Sequence, residues 1–74
     1  MNVYKVRCKW LGSTVRAWSG FAAIRAYADM VGSSLSGDAE VCLSASGAEV
    51  FRQKLTENTW VTAELEKSVE LLVE

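Results

Sequence analysis

The chain contains no histidine. That removes the side chain most used for proton transfer near neutral pH, and the commonest metal ligand. Proline is also absent, so there is no rigid linker or polyproline ligand segment. The two cysteines, Cys8 and Cys42, are too few for a four-ligand zinc site and lack the close spacing of a redox CxxC pair. Their spacing leaves pairing open, and free thiols in an intracellular protein are the simpler expectation. No glycine-rich phosphate loop or nucleophile elbow occurs, and serine or cysteine nucleophiles would lack a positioned histidine base. No apolar run approaches the length of a membrane-spanning helix. Met1-Asn2-Val3-Tyr4-Lys5-Val6 places charge where a secretory signal needs an apolar stretch. These absences point away from an enzyme, a metal site, a cofactor or a membrane partner, and toward the cytoplasm of the host cell.

What is present suits one small globular domain over residues 1–74, with an apolar fraction of 50% and a charged fraction of 23%. Net charge is only −1, but it is unevenly spread along the chain. Residues 1–30 carry Lys5, Arg7, Lys9, Arg16 and Arg25 against Asp29. Residues 57–74 carry Glu57, Glu64, Glu66, Glu70 and Glu74 against Lys67. The two ends can form a bipolar surface or neutralise each other in the fold.

Hydrophobic periodicity predicts an α+β fold, with one helix on a mainly antiparallel sheet of four or five strands. Tyr4, Val6, Cys8 and Trp10 alternate with Lys5, Arg7 and Lys9, which predicts a strand over about 2–11. Gly12-Ser13 reads as a turn into a second strand over 14–18. That register sets Trp10 opposite Val15, Cys8 opposite Ala17 and Lys9 opposite Arg16, a like-charge pair that fits poorly. Ser19 is a good N-cap and Gly32 a good C-terminal stop for a helix over about 20–32. Its apolar stripe is Phe21, Ile24, Ala28 and Val31, flanked by Tyr27 and Met30; Ala22, Arg25, Ala26 and Asp29 form a small-residue back.

After a loop at Ser36-Gly37-Asp38, residues 39–45 alternate as a strand. Residues 49–55 fit a hairpin partner, with Leu43 opposite Phe51 and Glu40 opposite Lys54. They also fit a helix, since Ser46-x-x-Glu49 is a capping box; parity and charge favour the hairpin. Twelve of the fourteen positions from 61 to 74 obey strict alternation, against a helical propensity over Ala63–Lys67. The pattern predicts a strand from 60 to 66, or to 73 if it continues past a bend. Laid antiparallel to the first strand, it puts Glu64 and Glu66 on the face that carries Lys5, Arg7 and Lys9.

The leading functional expectation is a protein-interaction module that binds another protein or a protein complex. Three tryptophans are many for so small a core. Trp10 has core parity, whereas Trp18 and Trp60 stand at element ends, and tryptophan and arginine dominate binding hot spots. The candidate partner-binding residues are Lys5, Arg7, Lys9, Arg16, Trp18 and Trp60. A nucleic-acid-binding domain using this basic and aromatic sheet face is the second reading, opposed by a sequence pI of about 5.4. A homo-oligomeric structural protein, for instance a homodimer packed through Ala22 and Ala26 or a sheet edge, is the third. In length, acidity and lack of histidine the chain resembles the small inhibitors encoded by phages and mobile elements, of which anti-CRISPR proteins are examples. The likeness is one of type and rests on no motif. It implies a protein that blocks a larger complex by occupying its surface, or by imitating nucleic-acid charge with its C-terminal glutamates.

Overall fold

The computed structural model describes residues 1–9, 11–56 and 58–68. Strands β1 (Asn2–Cys8) and β2 (Leu11–Ala17) form a hairpin; helix α1 (Gly20–Val31) follows, then strands β3 (Leu35–Leu43), β4 (Glu49–Leu55) and β5 (Trp60–Ser68). The five strands make one antiparallel sheet in the order β2-β1-β5-β4-β3. The α+β architecture expected from periodicity is therefore the one observed. The core parity of Trp10 and any strand beyond residue 68 lie outside the described residues.

The topology follows from one crossing. The β1–β2 hairpin leaves the chain at one edge of the sheet, and α1 carries it to the other edge, where β3 begins. A 12-residue helix is about 18 Å long. Four inter-strand gaps span about 19 Å, so the helix length matches the width of the sheet. The meander β3-β4-β5 then works back until β5 closes against β1.

Helix α1 starts and stops as its sequence dictates. The Ser19 hydroxyl accepts from the Ala22 N–H at 3.1 Å. Gly32, at φ 73°, turns left-handed, and the N–H groups of Gly32 and Ser33 close on the carbonyls of Asp29 and Ala28. The buried stripe, however, is Gly20, Ala23, Ile24, Tyr27 and Ala28, while Phe21, Met30 and Val31 are exposed. Small residues at 20, 23 and 28 let the helix axis approach the sheet closely, which rotates the stripe away from the larger side chains. Ala22 packs partly against the core and Ala26 is half-buried, so of the small-residue back only Arg25 and Asp29 are exposed.

The first hairpin is tighter than the Gly12-Ser13 signal suggests. Cys8 pairs with Leu11 and Arg7 with Gly12, and Lys9 takes the left-handed turn at φ 58°. Gly12 and Ser13 thus sit inside β2, and Arg16 faces Val3 instead of Lys9. Two-residue connections match strand twist, and that preference outweighs the strain of a non-glycine residue at positive φ. In the second hairpin Val41 faces Phe51 and Glu40 faces Arg52, two residues from the expected register but on the expected faces. Ser36-Gly37-Asp38 is no loop; it lies within β3 at an irregularity where residues 37–39 stand against the single Gln53. The Gln53 amide donates to the Gly37 carbonyl at 2.8 Å and holds this distortion. The segment 49–55 is a strand, not a helix.

Among the described residues, all the burial is on one side of the sheet. Tyr4, Val6, Ala17, Leu55, Val61 and Ala63 meet Ala23, Ile24, Tyr27 and Ala28 of the helix. Phe51 fills the space between Tyr4 and Phe21 with edge-to-face ring contacts at 6.2 and 4.8 Å. The opposite face carries no covering element among the described residues. Cys8 and Cys42 are both free. They lie on opposite faces of strands three positions apart, about 14 Å, well beyond disulfide reach.

Candidate interaction surface

Antiparallel partners share a face, so the register lays out the uncovered surface residue by residue. One row across the sheet reads Gly12, Arg7, Thr62, Arg52 and Glu40. The next reads Thr14, Lys5, Glu64, Val50 and Cys42. Arg16, Val3 and Lys67 lie beyond it; on the other side Trp60, Lys54 and Ser36 form a further row, near the Lys9 turn. Of the eight cations in the chain, six therefore occupy this face, Lys9 stands at its rim, and only Arg25 belongs to the helix. Glu64 and Glu40 are the acids that the register places among them.

The structure thus brings together Lys5, Arg7, Arg16 and Trp60 of the residues expected from sequence, with Lys9 beside them. Trp18 is 73% exposed and lies immediately past the end of β2, outside these rows. Glu64 lies opposite Lys5, as an antiparallel β1–β5 pairing requires, whereas Arg7 faces Thr62. A bulge between Val3 and Tyr4 leaves Glu66 without a direct partner in β1.

Arg52, Lys54, Thr62 and Lys67 are the members that the sequence did not yield. Their parity was legible, since Arg52 and Lys54 alternate with Phe51, Gln53 and Leu55. What the sequence did not supply was the pairing of β4 with β5, which, with β5 beside β1, brings Arg52 within two strands of Arg7.

The site is ordered by its own side chains. The Arg52 guanidinium lies 4.6 Å from the centroid of the Trp60 ring, and the Lys54 ammonium 5.3 Å from it. Such contacts contribute roughly 0.5–1 kcal/mol where exposed. Arg52 also donates through Nε and an Nη to one oxygen of Glu40, at 3.1 and 3.0 Å, which fixes the guanidinium plane. On the hairpin side a shallow depression of about 530 Å³ is lined, among the described residues, by Lys5, Arg7, Lys9, Leu11 and the Gly12–Thr14 stretch, none of them an acid. Gly12 leaves that depression open, since it projects nothing opposite Arg7.

No set of three or more cysteine, aspartate or glutamate side chains among the described residues could hold a metal ion. Nor is any helix among them long and apolar enough to cross a membrane. Comparison with protein-family models, curated proteins and solved structures finds no match to this chain.

Proposed function

We propose that the chain is a non-enzymatic interaction module that docks its open sheet face onto an anionic surface of a larger macromolecule. The observation that carries this reading is the gathering of seven of the eight cations on or beside the sheet face that no described element covers, in a chain of net charge −1. A net charge this small hides a local field strong enough to steer association. A blocking role of the kind small phage-encoded inhibitors play fits this reading, because a face of about 19 Å can mask a site without chemistry.

Retention on an immobilised polyanion such as heparin tests the reading. The wild-type protein is expected to bind near neutral pH and elute with salt, and R25E to behave alike. The triple variant R7E/R52E/K54E is expected to flow through. Equal retention of the triple variant and wild type would sink the proposal.

Self-association has an observation of its own. Edge strand β3 leaves Val41 47% and Leu43 69% exposed on the helix side. If that edge pairs two copies, L43K will shift a concentration-dependent dimer to monomer in sedimentation equilibrium. A wild-type monomer at every concentration would exclude it.

A further inference from the structure

Resting on that docking reading, we infer that the occupant of the open face is a single-stranded nucleic acid, with phosphates on Arg7 and Arg52 and a base stacked at Trp60. Three observations favour it over an acidic protein. The first is the character of the centre. Protein interfaces place their apolar, charge-depleted part in the middle and their charges at the rim. Here the middle is Thr62, flanked by Arg7 and Arg52, with Trp60 as the large aromatic beside it. Nucleic-acid interfaces are polar and positively charged throughout, and single strands bind where cations flank an aromatic platform.

The second observation is the lane itself. Arg7 and Arg52 sit in one row about 10 Å apart across two strand gaps, with the Thr62 hydroxyl between them. A chain of phosphates crossing the strands meets guanidinium, hydroxyl and guanidinium in turn. The Trp60 indole stands one row away, already ordered by Arg52 and Lys54. Past Arg7 the lane runs into the depression lined by Lys5 and Lys9, a place for a further phosphate.

The third is shape. The major groove of a duplex admits a helix or a two-stranded ribbon, and a sheet face five strands wide is broader than that. Only an unpaired base can leave its neighbours to reach an indole lying on that face.

Fluorescence anisotropy of labelled oligonucleotides tests this, with an oligothymidylate and an oligouridylate of about ten nucleotides, a duplex of the same length and a polyglutamate peptide as probes. Both single strands are expected to bind, with an affinity that falls as salt rises at a log–log slope of about −3 for four phosphates neutralised. Trp60 emission should be quenched on binding. W60L should weaken binding about tenfold, R7Q should flatten the salt slope by about 0.7, and R25Q should change neither. Polyglutamate binding that R7Q weakens, with no oligonucleotide binding, overturns the inference and leaves the docking reading standing. Duplex binding as tight as single-strand binding, indifferent to W60L, also overturns it. Failure of every probe at low salt removes both, and circular dichroism of each variant separates loss of binding from loss of fold.

Discussion

Gly20 is where the packing leaves least room, and its replacement by alanine gives a calculable outcome. A Cβ built on Gly20 would stand 2.0 Å from Cδ1 of Phe51, 2.3 Å from Cγ and 2.5 Å from Cε1. The ring cannot swing away freely, because Tyr4 and Phe21 both meet it edge to face. In a helix free of tertiary contacts, alanine would be better than glycine by about 1 kcal/mol. Overpacking a core position costs about 1–3 kcal/mol, and an approach of 2.0 Å to a held ring puts this one at about 2–3 kcal/mol, so G20A should destabilise by about 1–2 kcal/mol net. For a domain of this size that is a fall in Tm of about 5–15 °C. Urea denaturation followed by tryptophan fluorescence measures it, with an unchanged slope confirming that the denatured state is unaffected. F51L removes the ring and should reverse the sign, so that G20A becomes neutral or stabilising in that background. A stabilising G20A in the wild-type background, or an equal cost in both, would refute the close approach of helix and β4.

Lys5 and Glu64 face each other across β1 and β5, so a cycle of K5E, E64K and the double variant should recover about 0.2–1 kcal/mol, fading with salt. The Arg7–Glu64 combination, diagonal in this register, should couple more weakly; equal coupling would contradict the register. Tyr27 gives a pH dependence. Burial, with the Cys8 thiol beside it adding to the effect, raises the phenol above its ordinary 10.0. The unfolded chain therefore loses this proton first, so the contribution of Tyr27 is complete below pH 10.0 and is lost as pH climbs from there through the folded value. Thermal melts across that range should show a steeper alkaline fall in wild type than in Y27F, and parallel curves would count against the burial of the phenol.

Alternation decided most of what was legible in the sequence. Tyr4 and Val6 were buried and Lys5 and Arg7 exposed because a period of two leaves a half-covered strand no other choice. Ser19 and Gly32 bounded the helix through backbone chemistry that needs no tertiary contact. Register failed where it hung on turns. Lys9 and Asn58 adopt positive φ although neither is glycine, and Gly12, the stronger local signal, lies flat in a strand. The helix stripe was misplaced because side-chain size was read as burial. Ala23, Ala28 and Gly20 are buried for being small, and Phe21 is left partly exposed against Phe51. The cationic face was half legible for a different reason: parity is local, whereas the neighbourhood of Arg7 and Arg52 depends on β4 pairing with the far side of β5, which the periodicity of neither strand reports.

A charge arrangement that served only stability would look different from the one observed. Arg7 lies between Lys5 in β1 and Lys9 in the turn that follows, each about 7 Å away, and faces Arg52 across Thr62 at about 10 Å. In water each of the nearer repulsions amounts to about 0.6 kcal/mol and the farther one to about 0.4 kcal/mol before screening. The diagonal Glu64, at a similar distance to the two lysines, cancels one of the three. The remainder is about 1 kcal/mol of self-repulsion, reduced to a few tenths at physiological ionic strength. Threonine, a favourable strand residue, would relieve it. R7T should therefore be more stable than wild type, by about 0.5 kcal/mol in low-salt urea denaturation, while its retention on a polyanion falls. A local cost to stability that disappears together with binding is what a residue kept for a partner should show. If R7T is instead less stable by about 1 kcal/mol, the guanidinium supports the sheet, and the cations of this face need no partner to account for them.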